Sequence, residues 1–126
     1  MPPDAEPFSL SLSHADGVAV VAVHGTVDLY TARELRGLLN DTLPRSRGTV
    51  LLDLSESTFV DSSGLAALIA AHRRARRDGG LLVVVNRDRE IARLLEVTGL
   101  DSLLSVAADR REAIDLLRPR RRAAGG

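Results

Sequence analysis

Three short, uninterrupted apolar runs constrain this chain more than any other feature of its sequence. Val18–Val23, Thr49–Leu54 and Leu81–Val85 each hold five or six residues with almost no polar interruption. A strand with one face in water alternates apolar and polar residues, whereas a run without alternation belongs to a strand covered on both faces. Strands of that kind occur in parallel sheets, where the crossover helices cover both sides.

The segments around the runs carry the complementary patterns. Leu35, Leu38, Leu39 and Leu43 recur at helical spacing in a segment that begins near Thr31 and is expected to stop before Pro44. An alanine- and leucine-rich stretch predicts a helix from Ser62 to Asp78, closed by Gly79-Gly80. Ile91, Leu94 and Leu95 mark a shorter helix ending at Thr98-Gly99, where glycine can adopt the left-handed cap conformation. Ahead of the first run, Phe8–Leu12 alternates like a half-exposed strand, and Ala15-Asp16-Gly17 turns it into Val18–Val23 as a hairpin. Leu103–Val106 and Arg110–Leu117 predict a last short strand and a last helix. The sum is one α/β domain over residues 8–117, with an N-terminal hairpin and a mostly parallel mixed sheet of about five strands and about four helices. Residues 1–7 and the basic segment 118–126 are expected to be flexible ends.

Composition removes several function classes. A chain of 126 residues buries a core without staples. The absence of cysteine excludes disulfides, thiolate chemistry and cysteine zinc sites. His14, His24 and His72 share no metal-binding spacing, so no metal or other cofactor is expected. With no tryptophan, one tyrosine and two phenylalanines, stacking platforms for single-stranded nucleic acid are scarce. All 17 basic residues are arginine; residues 1–60 carry a net charge of −4 and residues 61–126 one of +4. Arg73, Arg74, Arg76 and Arg77 are read as cations at the negative end of a helix rather than as a nucleic-acid patch. No apolar run approaches the roughly 20 residues of a membrane span, and Met1–Pro7 lacks the basic and apolar regions of a signal peptide. The expectation is a soluble, cytoplasmic protein without nucleic-acid or membrane partners.

The chemistry concentrates at Asp61-Ser62-Ser63-Gly64, between the second buried run and the helix after it. Open α/β sheets bind ligands at the carboxyl ends of their strands, and a helix N-terminus favours negative charge. A serine there can cap the helix, bind an anion, act as a nucleophile or accept a phosphoryl group. Gly64 in the first turn costs about 0.5–1 kcal/mol relative to alanine, which implies that another body approaches the backbone there or that the turn has unusual dihedrals. A nucleophile lacks its partners: the surroundings are not Gly-x-Ser-x-Gly, His72 lies well along the helix, and His24, at the end of a neighbouring strand, has nothing to orient it. Nucleotide binding lacks both glycine-rich phosphate motifs and any lysine. No enzymatic role is expected, and on local grounds a cap and a functional loop stay equally open.

Resemblance separates them. Ser57–Leu65 resembles the phosphorylation loop of bacterial anti-sigma factor antagonists, the STAS-domain family. Val23–Ala32 is similar to that family's Gly-x-x-Asp-x-x-Thr-Ala stretch entering the first helix, and Leu94–Leu100 also fits its pattern. The resemblance runs from about Phe8 to Leu117 and implies the same order of elements. It further implies a protein whose unphosphorylated form binds an anti-sigma factor and so releases a sigma factor. That partner is also a serine kinase of the histidine-kinase-like ATPase fold; phosphorylation of the serine after the loop aspartate ends the association, and a serine phosphatase restores it. Carried over, the phosphoacceptor is Ser62, Ser63 serves as a cap or contact, Asp61 shapes the loop, and Gly64 belongs to the contact surface. Asp28 matches the acidic residue that lies beside the serine and helps engage the kinase, with a helix N-cap as its alternative role. Two other readings remain: a STAS subunit scaffolding a stress-signalling particle or lipid-transport complex without a phosphoswitch, and a sensor binding a small anion or nucleotide at the helix N-terminus.

Overall fold

Asp16 and Gly17 set the first element pair. Both have positive φ, 52° and 77°, the backbone twist that joins two antiparallel strands through a two-residue turn. Strand β1 (Ser9–Ala15) therefore pairs with β2 (Val18–Val27) without interruption, from Ala15 opposite Val18 to Ser9 opposite His24. The computed structural model describes the backbone of residues 7–125 and the side chains of residues 7–118. After the hairpin come α1 (Thr31–Arg45), β3 (Val50–Val60), α2 (Ser62–Arg77), β4 (Leu82–Val85), α3 (Arg89–Val97), a single 3-10 turn at Leu100–Ser102, β5 (Ser105–Ala107) and α4 (Arg110–Gly125). The strands lie in the order β1-β2-β3-β4-β5; β1 runs antiparallel to β2 and every other neighbour pair is parallel. This is the mixed α/β sheet with an N-terminal hairpin that the apolar runs predict. Among the described residues no helix is long and apolar enough to cross a membrane.

Strict alternation along the central strands divides the interior in two. Val21, Val23, Leu52, Leu54 and Val84 face α1, α2 and α3, where they meet Leu35, Leu39, Leu68 and Leu95. Val18, Val20, Leu51, Val83 and Val85 face the other way, onto Ala113, Ile114 and Leu117 of α4. Each buried leucine or valine stabilises the fold by roughly 1.5–3 kcal/mol, which is why runs lacking any polar alternation are tolerated at these strands.

Several boundaries differ from expectation. β1 continues to Ala15 because the turn needs only two residues. α1 does not stop before Pro44 but carries it in its last turn, where the missing N–H removes only the one helical bond to the Asn40 carbonyl and the closing carbonyls keep their donors. Ser46 N–H donates to Thr42 O at 3.0 Å and Gly48 N–H to Leu43 O at 2.7 Å. β5 starts two residues later than expected, after the 3-10 turn. Gly99 does adopt the left-handed conformation, at φ 76°. The last helix, expected over Arg110–Leu117, continues as backbone to Gly125. Of the two expected end segments, residues 1–6 and 126 lie outside the described residues, and 118–125 are described as helical backbone.

One charge is buried within the sheet. Asp53 on β3 is 6% exposed and receives Ser55 N–H at 2.9 Å and Arg110 Nε at 2.6 Å, so it ties the start of α4 to the central strand. Burial pushes the Asp53 carboxyl up, but the hydrogen bonds from Ser55 and Arg110 together outweigh it and hold it below the ordinary value of 3.8. The folded chain thus binds this proton less readily than the unfolded chain. The stability this carboxylate confers is complete above pH 3.8 and is lost as pH falls through its lower folded value. Asp53→Asn is expected to lower the unfolding free energy at neutral pH by about 1–3 kcal/mol. In urea titrations it should also lose less stability than the parent on acidification below 3.8; equal acid losses would show that another group governs that limb.

Candidate functional site

The site begins with an irregularity in β3. Along β2, Ala22, His24 and Thr26 pair with Asp53, Glu56 and Phe59, so β3 twice uses three residues where β2 uses two. Each extra residue is a bulge, which bends a strand and re-aims its side chains. Ser57 turns inward, its hydroxyl donating to Gly25 O at 2.8 Å, while Thr58 and Phe59 in succession face solvent. Val60 returns to the core at 3% exposure. The strand expected to end at Leu54 therefore reaches Val60, and the loop expected after it contracts to Asp61 alone.

Asp61 caps α2. Its Oδ1 accepts Ser63 N–H at 2.8 Å and Gly64 N–H at 3.1 Å, satisfying two of the N–H groups that a helix start leaves without internal partners. The capping expected of Ser62 or Ser63 thus falls to the aspartate, because the strand delivers it in the extended conformation a cap needs, at φ −93° and ψ −171°. Ser62 is exposed and Ser63 half-buried. Asp61 N–H also donates to Val27 O at 3.0 Å, joining the end of β3 to the end of β2. Gly64 is buried against the same residue: a Cβ there would lie 2.6 Å from Val60 Cγ1 and 2.9 Å from Val27 Cγ1. The body that approaches its backbone is the molecule's own pair of central strands, and the turn needs no unusual dihedral.

Asp28 follows Val27, so the Asp61–Val27 bond places the two carboxylates at one corner of the sheet. Its Oδ1 accepts Tyr30 N–H at 2.9 Å and Thr31 N–H at 3.0 Å, and its carbonyl accepts Ala32 N–H at 2.8 Å. Asp28 is therefore the cap of α1, the alternative role set out above. The Thr31 hydroxyl accepts Asp28 N–H at 2.8 Å and donates to Thr26 O at 2.7 Å, closing the turn. The Thr31 N–H, ahead of the remaining hydrogen bonds, holds the Asp28 carboxyl below its ordinary 3.8 and keeps it ionised at neutral pH. Asp28, Asp61, Ser62, Ser63 and Gly64 all lie at the carboxyl ends of β2 and β3, as the two sequence blocks imply.

The composition gave no hint that apolar side chains stand exposed at this corner. Leu29 is 59%, Tyr30 78% and Phe59 52% exposed. Beside Phe59 a shallow cavity of about 200 Å³, lined also by Thr58, Val60, Glu90, Ile91 and Leu94, extends towards α3. The available signal was placement: two of the chain's three aromatic residues fall inside the two motif blocks. The histidines stand apart. His24 lies within β2 rather than at its end, between Ser9 and Glu56. His72 is ten residues beyond Ser62 on the same helix, about 15 Å along its axis at 1.5 Å per residue. Its Nδ1 is buried with no hydrogen-bond partner among the described residues, and burial, followed by Arg76 and Arg73, pushes its pKa down.

Comparison with known proteins places this geometry. The family described as "Mlab, STAS domain" matches residues 10–105. The anti-sigma-B factor antagonist of Listeria monocytogenes is 31% identical over 87 residues, covering 68% of this chain and 75% of that protein. The crystal structure of an anti-sigma factor antagonist from Mycobacterium paratuberculosis superposes with a TM-score of 0.82 at 29% identity, covering 93% of this chain and 97% of that one. SpoIIAA, solved in unphosphorylated and phosphorylated forms, shares the fold with TM-scores of 0.74 and 0.66, at 19% identity in each case. The chain belongs to the STAS-domain family of bacterial anti-sigma factor antagonists.

Proposed function

We propose that this protein is a cytoplasmic anti-sigma factor antagonist whose unphosphorylated form binds an anti-sigma factor with serine-kinase activity, and that phosphorylation of Ser62 ends the association. The observation that carries this reading is the division of labour at the helix start. Asp61 and Asp28 are committed to capping α2 and α1, and Ser63 is half-buried, whereas Ser62 stands exposed between them. A phosphate on Ser62 adds about −1.5 to −2 charges beside two carboxylates at a helix N-terminus, which tolerates negative charge. The fold can therefore accept the group, while a partner surface fitted to the bare hydroxyl meets charge it cannot neutralise. The relatives support the reading through their names, and SpoIIAA supports it as a protein of this fold known in both states.

The exposed Leu29, Tyr30 and Phe59 supply the attractive part of such an interface. Aromatic anchors commonly dominate binding energy, and a phosphate set among them acts where desolvation is most complete. Asp28, one residue from Leu29, adds a carboxylate positioned to engage the kinase, and a serine phosphatase would reset the cycle.

Incubation with candidate anti-sigma factor kinases of the native cell and ATP, followed by phosphosite mapping by mass spectrometry, should place one phosphate on Ser62. Ser62→Ala should bind the kinase yet gain no phosphate; undiminished phosphorylation of that variant would move the acceptor elsewhere, Ser63 first. Calorimetry with the anti-sigma factor should show Ser62→Asp binding more weakly, since like-charge juxtaposition costs several kcal/mol and about 1.4 kcal/mol is tenfold in affinity. Unchanged affinity would favour a scaffold without a phosphoswitch. Phe59→Ala and Tyr30→Ala should each lower affinity by roughly tenfold or more, with thermal midpoints near that of the parent; wild-type binding by both would remove the aromatic anchors.

A further inference from the structure

β1 is an edge strand that nothing in its sequence protects. Its seven residues, Ser-Leu-Ser-Leu-Ser-His-Ala, include no proline, lysine, arginine or carboxylate. Its register with β2 runs unbroken from Ser9 to Ala15, without a bulge. Among the described residues no strand pairs with its outer side, so a row of N–H and C=O groups faces outward there. Edge strands are ordinarily blunted by charge, proline, a bulge or shortness, because an open edge is a template for another strand. The opposite edge obeys that rule: β5 has three residues.

The surface beside β1 has the same character. α1 leaves the outermost strand incompletely covered, and a groove of about 750 Å³ opens between β1 and the C-terminal half of that helix. Leu12, 48% exposed, and Leu38 line it. Its polar wall is balanced in sign, with Asp41 and Asp78 against Arg45 and Arg47.

We propose that β1 is a self-association surface, pairing antiparallel with β1 of a second copy to form a closed two-fold dimer with a continuous ten-stranded sheet. The two five-stranded sheets supply the ten strands. A second copy fits better than a foreign segment for three reasons. Antiparallel pairing about a two-fold axis makes the strand its own complement: because side chains alternate with period two, an even register sets the leucines of one copy beside those of the other on the groove face and serine beside serine on the opposite face. The balanced groove wall and a formal net charge of zero leave no like-charge excess to repel an identical molecule. The pairing also closes, since each copy offers one such edge. The two-fold axis lies perpendicular to the sheet, so β3 of the two copies points in opposite directions and both Ser62 corners stay open. The inference does not depend on the role assigned to Ser62.

Sedimentation velocity of the full chain, from about 1 µM to about 1 mM, should show a concentration-dependent species of twice the 13.5 kDa chain mass. Leu12→Arg, at a half-exposed position, brings two guanidinium groups together across the interface and should raise the dimer dissociation constant at least about tenfold. A 13.5 kDa monomer at every concentration, or a dimer undiminished in Leu12→Arg, would overturn the proposal. So would open-ended oligomers, which a closed pair forbids. Amide hydrogen exchange on the unaltered chain gives an independent reading should the variant fold poorly. Outward N–H groups of Ser9–Ala15 should gain protection at high concentration only, and concentration-independent exchange there would refute the pairing.

Discussion

The site rests on the contact between the first turn of α2 and Val27. Val27 is 1% exposed at the end of β2; its carbonyl receives Asp61 N–H, its side chain abuts Gly64, and its successor is Asp28. Through that one residue the end of β3, the start of α2 and the start of α1 are held in fixed relation. The approach is possible only because residue 64 lacks a Cβ. An added methyl would displace Val27 or Val60, both core residues, and overpacking of that kind costs about 1–3 kcal/mol. The conformational cost of a glycine in a helix is smaller, about 0.5–1 kcal/mol, so close packing wins and glycine is the residue that fits.

That geometry also decides how a charge at Ser62 is felt. Asp61 and Asp28 each direct Oδ1 to backbone N–H groups of the helix they begin, so neither needs to move when a neighbour gains charge. The first turn of α2 is already capped by Asp61, so the Ser62 hydroxyl proposed to gain the phosphate is not needed for that post. A change of about two charges can then alter the outer surface while leaving the packing beneath it unchanged. A switch of this kind needs no second conformation: its range is set by what the partner loses, not by what the domain rearranges.

The sheet was legible because its signal is redundant. Apolar runs such as Val18–Val23 and Leu81–Val85 can be satisfied in few ways, and the helices between them repeat the message with Leu35, Leu39 and Leu43. The site was legible only in part, for reasons that differ by residue. Asp28 and Asp61 stood out as acids before helices, but which residue of Asp61-Ser62-Ser63 caps depends on where β3 ends. That end is set by two bulges whose cause lies in pairing with β2, not in local propensity. The same bulges expose Phe59, which by hydrophobicity alone belongs inside. Asp53 was hidden for the opposite reason. Within an apolar run it reads as an interruption, and its partner Arg110 lies 57 residues away, brought near only by the fold.

The Ser62 corner, the buried tie to α4 and the open edge strand lie on different parts of the sheet. The proposed phosphoacceptor stands at the carboxyl ends of β2 and β3, the Asp53–Arg110 tie fastens α4 across one face, and the unblunted strand lies along the β1 side. β3 is two strands removed from that edge, and Ser62 lies beyond its end. Pairing along β1 would therefore bury neither Ser62 nor the exposed Leu29, Tyr30 and Phe59. In a two-fold pair those corners point apart, so each copy would meet its own kinase, and a phosphate on one corner would lie well beyond the Debye length of about 8 Å from the other. Two chains joined in this way would switch independently, and association would change how many partners are gathered rather than how strongly each is held.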